Sequence, residues 1–437
     1  MTKYIKKSNQ IIALEKQATS LKVEYKGLNF YPLLRYDMSL RVLRENSRKK
    51  RNSLAQKIKW LFNSFFSDSI AFTGVDSVYL SYSTFNREKI NGKYFDKYVD
   101  PLIYRDQSNG LKTLAMEFNQ RGIKRKPKHL PKHQLGFILI LKGLIYAKSR
   151  RFVNVSIELS ADASKIARMY GVEQKVLEKT IFMSYFFYKY FQRKFKGTGV
   201  KKAYATAMTT SMSAGYFMAA NSLGIETYEV QHGNVNPYNL NYTHISGALL
   251  EPTPSIFPKN FMFFSHWSID NYKRYSPKGG LINYSFFGDL QGEYIGRILP
   301  SDLSGKFEKA LSGFKKFVLV GLGRDDLENH ICDQILKSSN DVLYSIRVHP
   351  GMTSNYIDFI QDSPNLTALL KSDRSNIDFE FAHSMPVEIL LEKCDELWCG
   401  SSTLIISAFD LGKPVKCWDA FAIEYYGTNR LESFEKN

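Results

Sequence analysis

From Lys201 onward the chain alternates short apolar runs with amphipathic ones, and that rhythm restricts the fold more than any other feature. Ala203–Ala207 reads as a strand, Ser211–Leu223 as a helix of small residues, and Gly224 as its stop. Ile225–Gln231 is the next strand, then Phe261–Phe264, followed by a helix through Tyr272. Phe307–Phe314 reads as a helix, Phe317–Val320 as a strand, Leu327–Ser338 as a helix and Val342–Val348 as a strand. Asn376–Phe381, Glu396–Cys399 and Val415–Trp418 complete the strands, with helices at Pro386–Leu391 and Leu404–Leu411 between them. Strands separated by helices imply parallel sheets. The expected architecture is α/β: a doubly wound domain over 256–437, preceded by a larger α/β domain over 1–255. The boundary is placed in Thr253–Pro258, which holds two prolines, with Lys278–Gly280 as the alternative.

The composition supports packed domains. Of 437 residues, 44% are hydrophobic and 14% aromatic, which argues against wholesale disorder. Net charge is +18, so an anionic partner is expected: nucleic acid, an anionic membrane face, or a phosphate-bearing substrate. Cys332, Cys394, Cys399 and Cys417 form no CxxC pair, so neither a zinc site nor a disulfide framework is predicted, and a reducing cytoplasmic setting fits. Met1–Ala18 lacks the apolar core of a signal peptide, and no apolar run is long enough to span a bilayer.

The first part of the chain is less regular. Residues 1–75 read as basic and helical, with Lys49, Lys50 and Arg51 near Trp60, Phe62, Phe65 and Phe66. Such a helix either lies in a membrane interface or docks its apolar side in a core. Val78–Ser83 reads as a strand and Asn91-Gly92 as a turn. Arg121–His133, which includes Lys132, reads as an exposed basic loop. Leu135–Ala147 is a helix, and Ala161–Lys196 is a long helical region whose many aromatics suit packing better than base stacking.

Three strand-end motifs carry chemistry. Gln231-His232-Gly233 closes the strand Ile225–Gln231, with Glu229 three residues before the histidine. A neutral histidine can take a proton from a hydroxyl near pH 7. Strict alternation puts Glu229 on the side of Gln231 and opposite His232, so the two meet only if the turn twists. Arg347-Val348-His349-Pro350 alternates an arginine and a histidine on one strand face, a pair suited to a phosphate. Gly400-Ser401-Ser402-Thr403 precedes an apolar helix; three hydroxyls exceed what capping needs and fit an anion. Gly321-Leu322-Gly323 also opens a helix, but it is neither GxGxxG nor a P-loop.

Together, Gln231–Gly233, Arg347–Pro350 and Gly400–Thr403 resemble the motifs of GT-B glycosyltransferases of bacterial surface-polysaccharide assembly that use cytidine-activated donors. The similarity is to Kdo transferases and bacterial sialyltransferases, and also to CDP-glycerol glycerophosphotransferases; it is strongest over Lys201–Asp419. Tyr25–Arg35 and Tyr98–Pro101 resemble openings of surface-carbohydrate proteins, less specifically. Many Kdo-transferase relatives carry an acidic residue where His232 stands.

The resemblance implies a GT-B-like fold, two Rossmann-like α/β domains facing across a cleft. It implies transfer of a sugar, Kdo or a related keto-acid, from a CMP-linked donor to a lipid-linked oligosaccharide acceptor in capsule or lipopolysaccharide synthesis. Arg347, His349, Pro350, Gly400, Ser401, Ser402, Thr403, Gly321 and Gly323 would bind the donor, and Gln231, Gly233, Asn234 and His266 would face the acceptor. His232 would be the base of an inverting reaction; a retaining one needs a carboxylate nucleophile, Glu229 or the more remote Glu158. No metal or other cofactor is expected, nor nucleic acid as a partner, and the protein would sit peripherally on the anionic inner face of the cytoplasmic membrane. The alternatives are a CDP-glycerol or CDP-ribitol polyol-phosphate transferase, and a non-catalytic membrane- or nucleic-acid-binding protein.

Overall fold

The computed structural model describes residues 3–44, 70–118, 127–152, 155–250, 254–276, 282–323, 326–349, 356–400, 402–426 and 431–434. Two units emerge, each built on an all-parallel sheet. The first comprises Met1–Phe85, Lys97–Lys126 and Leu130–Leu290; the second Asn86–Asp96, Pro127–His129 and Gln291–Asn437.

The sheet of the first unit has seven strands. From edge to edge they are Asn283–Phe286, Asn260–Phe263, Glu226–Val230, Lys202–Ala205, Ser77–Tyr82, Thr113–Phe118 and His133–Leu135. Counted along the chain, the order is 3-2-1-4-5-6-7, the doubly wound order with one strand added. The sheet of the second unit runs Ile377–Asp378, Val342–Arg347, Lys316–Gly321, Glu396–Cys399, Val415–Cys417 and Glu432–Ser433. Its chain order is 3-2-1-4-5-6. Every pairing in both sheets is parallel. In such a sheet the order reverses between the first and fourth strands, and the crevice outside their carboxyl ends takes ligands. Two parallel-sheet α/β units are what the sequence rhythm led us to expect, and their Rossmann-like composition is the GT-B-like one that the motif resemblance implied.

The boundary moves. Asn260–Phe263 and Asn283–Phe286 extend the sheet begun before residue 255, so the first unit runs to Leu290, inside the helix Gly288–Ile298. Asn283–Phe286 is short and mostly exposed, which hid it from a search for apolar runs. A hairpin, Asn86–Ile90 and Lys93–Asp96, belongs to the second unit; its turn residues Asn91 and Gly92 both have positive φ.

The amino-terminal region is not uniformly helical. Helices Lys3–Gln17 and Tyr31–Arg44 flank strands Val23–Tyr25 and Leu28–Asn29, which join Glu158–Leu159 in a small antiparallel sheet. Residues 49–51, 60–66 and 121–126 lie outside the described residues, as do 253 and 278–280. Lys132, read as part of an exposed loop, is instead buried in an ion pair with Asp100 at 2.7 Å. The helical stretch 161–196 breaks at Gly171, which has positive φ, into Ala161–Met169 and Gln174–Phe195. Asn376–Phe381 keeps only Ile377–Asp378 as strand and turns helical at Glu380. A helix, Ala420–Tyr426, and the edge strand Glu432–Ser433 follow what read as the final strand. No described helix is long and apolar enough to cross a membrane.

The aromatic helix Gln174–Phe195 packs inward, with Phe182, Phe187 and Phe191 buried. Its tightest contact is with the small-residue helix Ser211–Ser222. A Cβ at Gly215 would stand 2.6 Å from Phe187 Cβ, Ser184 O and Tyr188 N, two of them backbone atoms. The small residues therefore let two helices approach, in addition to the helix approaching its sheet. Gly215→Ala should lower unfolding free energy by about 1–3 kcal/mol or more, because backbone atoms must shift. Urea unfolding of the variant checks this; an unchanged midpoint would show that the helices are not in this close contact.

Candidate functional site

In the first unit the strand Glu226–Val230 ends one residue before Gln231, so His232 is released from strand alternation. The turn brings the imidazole back over the strand, and His232 Nδ1 lies 3.5 Å from Glu229 Oε1. The twist required for the pair to meet is present. Glu229 is fully buried, whereas the His232 side chain keeps 28% of its surface exposed.

The carboxylate is held from two directions. Met208 N–H donates to Glu229 Oε2 at 3.1 Å, and the Tyr242 hydroxyl donates to Oε1 at 3.3 Å. His232 Nδ1 accepts from Ala207 N–H at 3.3 Å and also lies 3.3 Å from the Tyr242 hydroxyl. Ala207 and Met208 follow the strand Lys202–Ala205, so the ends of the fourth and fifth strands of the sheet are joined through this cluster. Ala207 has φ +56°. A residue with a Cβ is disfavoured there by about 1 kcal/mol, and such strain persists where surrounding bonds fix it. Here the amides of Ala207 and Met208 are aimed at His232 and Glu229.

Burial raises the Glu229 carboxyl above its ordinary 4.5, partly offset by His232 and by the Met208 and Tyr242 hydrogen bonds. Burial, reinforced by Glu229, also pushes the Tyr242 phenol well above its ordinary value, which keeps it a neutral donor. On the other side of the switch point, at the end of the first strand, Tyr82 is buried. Its hydroxyl meets Ser213 Oγ at 2.6 Å and Thr210 Oγ1, and Ser213 Oγ donates to Thr206 O at 2.9 Å. Tyr242, Ala207 and Met208 were not singled out in the sequence. Their signal is positional, since each lies in a loop leaving or facing a strand end.

Other expected residues separate. Gln231 is fully buried and spent internally: Nε2 donates to Gly233 O at 2.7 Å and Ser268 Oγ at 2.8 Å, and Oε1 accepts from Phe264 N–H at 3.2 Å. It ties the turn to the neighbouring strand instead of facing an acceptor. Gly233 does not adopt a positive φ, so its turn does not depend on glycine. Asn234 is half-buried, and its carbonyl accepts from Asn239 Nδ2. His266 is exposed and stacks on Phe286, with ring centroids 4.0 Å apart. Glu158 does not join the cluster: it is exposed on the small antiparallel sheet, opposite Glu24.

In the second unit, Gly321 and Gly400 end or follow the first and fourth strands, at that sheet's own switch point. Both are close-approach positions. A Cβ at Gly321 would be 2.8 Å from Leu404 Cδ1, and one at Gly400 would be 3.0 Å from Trp418 Nε1. Gly323, by contrast, is half-buried with open space where a Cβ would go. Ser402 Oγ accepts from Leu404 N–H at 3.3 Å and so caps the following helix, while the exposed Thr403 makes no capping bond. Ser401 and Pro350 lie outside the described residues.

Arg347 has a bracing role that its strand-end motif did not indicate. The side chain is buried, and Nη1 donates to Ala382 O and to Met385 O, the latter at 2.8 Å. Through these bonds Nη1 braces the Ala382–Met385 turn. His349, one residue past the buried Val348, is half-buried at the strand end. His383 fixes the backbone beside it: Nδ1 is 2.7 Å from Phe379 O, and Nε2 accepts from Val348 N–H at 3.1 Å. Burial lowers its pKa to about 4, so the ring is neutral at pH 7. Nothing in the sequence marked His383.

No protein-family model matches the chain, and no curated protein matches it. Solved structures similar to it include the UDP-GlcNAc 2-epimerase from Methanocaldococcus jannaschii, at 12% identity over 83% of this chain and 89% of that one, TM-score 0.43. Another is the UDP-GlcNAc 2-epimerase from Neisseria meningitidis bound to UDP-GlcNAc, at 14% identity over 78% and 82%, TM-score 0.41. A third is the glycosyltransferase SnogD from Streptomyces nogalater, at 12% over 83% and 88%, TM-score 0.39.

A carboxyl whose folded pKa is raised favours folding below its unfolded value and loses that contribution as pH rises through the folded value. Wild-type stability relative to Glu229→Gln should therefore fall as pH climbs above 4.5. Paired urea titrations from pH 4 to 8 measure this; a difference that grows in favour of wild type with pH would contradict it.

Proposed function

We propose that the chain is a glycosyltransferase that uses a nucleotide-activated sugar, with His232 as the base that activates the acceptor hydroxyl. The observation that carries the reading is the cluster of Glu229, His232 and Tyr242 at strand ends of a doubly wound sheet. Exposure divides the roles. His232 is the member that reaches solvent, whereas Glu229 is fully buried behind it. A carboxylate so enclosed is poorly placed to attack a sugar carbon but well placed to steady a charged imidazole.

The proposed proton path uses both tautomers of the ring. In the resting ring Nδ1 accepts from Ala207 N–H; the active tautomer gives up that bond and carries its proton on Nδ1, facing Glu229 Oε1 and the Tyr242 hydroxyl, so that Nε2 has the lone pair that takes the acceptor's proton. The resulting imidazolium is stabilised by the Glu229 carboxylate 3.5 Å away. Its negative charge is therefore most useful after the proton has moved, which favours the transition state over the resting state.

The second unit would hold the donor. His349, Ser402 and Thr403, with the open backbone at Gly323, supply polar groups at strand ends, and Pro350 and Ser401 belong to the same motifs. Gly321, Gly400 and Arg347 shape that region through packing and bracing. The resemblance of these motifs to those of cytidine-donor enzymes supports a CMP-linked keto-acid sugar such as Kdo, and a lipid-linked glycan as acceptor in capsule or lipopolysaccharide synthesis. The net charge of +18 supports work at an anionic membrane surface.

Thermal shift against CMP, CDP, UDP and GDP tests the donor class, and NMR of donor hydrolysis tests the chemistry. CMP should stabilise the protein most, and a CMP-sugar should yield free sugar. His232→Ala should lower transfer about 10²–10⁴-fold and leave CMP binding unchanged. Release of polyol phosphate from a CDP-polyol would assign a polyol-phosphate transferase instead, and no selectivity among nucleotides would overturn the enzyme reading.

A further inference from the structure

The motif Tyr31-Pro-Leu-Leu-Arg35 has no part in the chemistry above, yet it leads to the same cluster. Arg35 lies in the helix Tyr31–Arg44 and is 1% exposed. Its Nε donates to Glu15 Oε1 at 2.8 Å and to Oε2 at 3.0 Å, and the Tyr31 hydroxyl donates to the same Oε1 at 3.1 Å. The rest of the guanidinium is spent on one loop. Nη1 donates to Leu240 O and to Thr243 O, the latter at 3.2 Å, and Nη2 donates to Thr243 O at 3.3 Å and His244 O at 3.0 Å.

Those carbonyls flank Tyr242. The loop has bonds of its own: Asn236 Oδ1 accepts from the amides of Tyr238 and Asn239 at 2.8 and 2.9 Å, and Thr243 Oγ1 donates to Asn239 O at 3.0 Å. At its far end His244 adopts φ +55°, with its N–H bonded to Tyr275 O at 2.9 Å. A non-glycine residue held left-handed shows a backbone fixed from outside. Arg35 does this with a planar fork that a flexible lysine cannot reproduce. A buried guanidinium is costly unless paired, and Glu15 supplies the pairing.

We infer that Arg35 is a positioning residue: the Glu15–Arg35 clamp holds the carbonyls of Leu240, Thr243 and His244 so that the Tyr242 hydroxyl stays between Glu229 and His232. The two amino-terminal helices thereby set the environment of an imidazole some 200 positions later in the chain, Arg35 and Leu240 being 205 apart. The inference rests on the proposed role of the cluster, but its test reads the imidazole directly and needs no substrate.

The experiment is ¹⁵N-histidine NMR of the full chain, with the His232 resonance assigned by His232→Gln among the eight histidines. The titratable groups facing His232 Nδ1 are Glu229 and Tyr242, with Tyr98 acting on Tyr242. Tyr242→Phe removes the hydroxyl and should move the His232 titration midpoint by about half a unit or more. Arg35→Lys, which keeps a positive charge for Glu15, should move it in the same direction. The double variant should move it no further than Tyr242→Phe alone. A folded Arg35→Lys protein with an unmoved His232 would overturn the inference, as would additive shifts in the double variant. If Arg35→Lys does not fold, Glu15→Gln decides: a smaller shift of the same sign supports the clamp and no shift refutes it. Absence of transfer activity in the wild-type chain, with a His232 that responds as above, would leave the clamp standing and remove the enzyme reading.

Discussion

A carboxylate buried at the end of a parallel strand must be answered by donors, and the answer to Glu229 organises the first unit. Leaving it without partners would cost several kcal/mol. The Met208 amide, the Tyr242 phenol and the His232 imidazole, itself held by the Ala207 amide, gather there because the loops after neighbouring strands converge on one end of the sheet. The left-handed Ala207, the early end of the strand at Val230 and the loop carrying Tyr242 are local consequences of meeting that demand. The same burial separates the two groups by exposure, Glu229 enclosed and His232 reaching solvent.

The two sheets solve the problem of ligand access in the same topological way. Each has its order reversal between the first and fourth strands, the place where sheets of this order take ligands. In the second unit the crevice is lined differently. Glycines at 321 and 400 admit Leu404 and Trp418, a buried arginine braces the adjoining turn, and a neutral His383 pins the backbone before His349.

Much of this was legible in the sequence because parallel strands are buried on both faces and read as apolar runs. Glu396–Cys399 and Val342–Arg347 stand out for that reason. Asn283–Phe286 did not, since an exposed edge strand carries no apolar signal, and the domain boundary moved with it. Glu229 and His232 were found because their residue types at a strand end are unusual. Tyr242, Ala207 and Arg35 act through tertiary contacts 10 to more than 200 positions away, which no local pattern encodes. Arg347 shows the converse: its residue type suggested a phosphate, and only its burial revealed two carbonyls as its partners.

The central claim is that His232 moves the proton while Glu229, enclosed behind it, makes no bond to sugar. Product stereochemistry tests this most directly. The anomeric configuration of the glycoside formed from a CMP-sugar, followed by NMR from the first turnovers, should be inverted relative to the donor. Retention would mean that a carboxylate forms a covalent adduct, and would contradict the division of labour read from the burial of Glu229 and the exposure of His232.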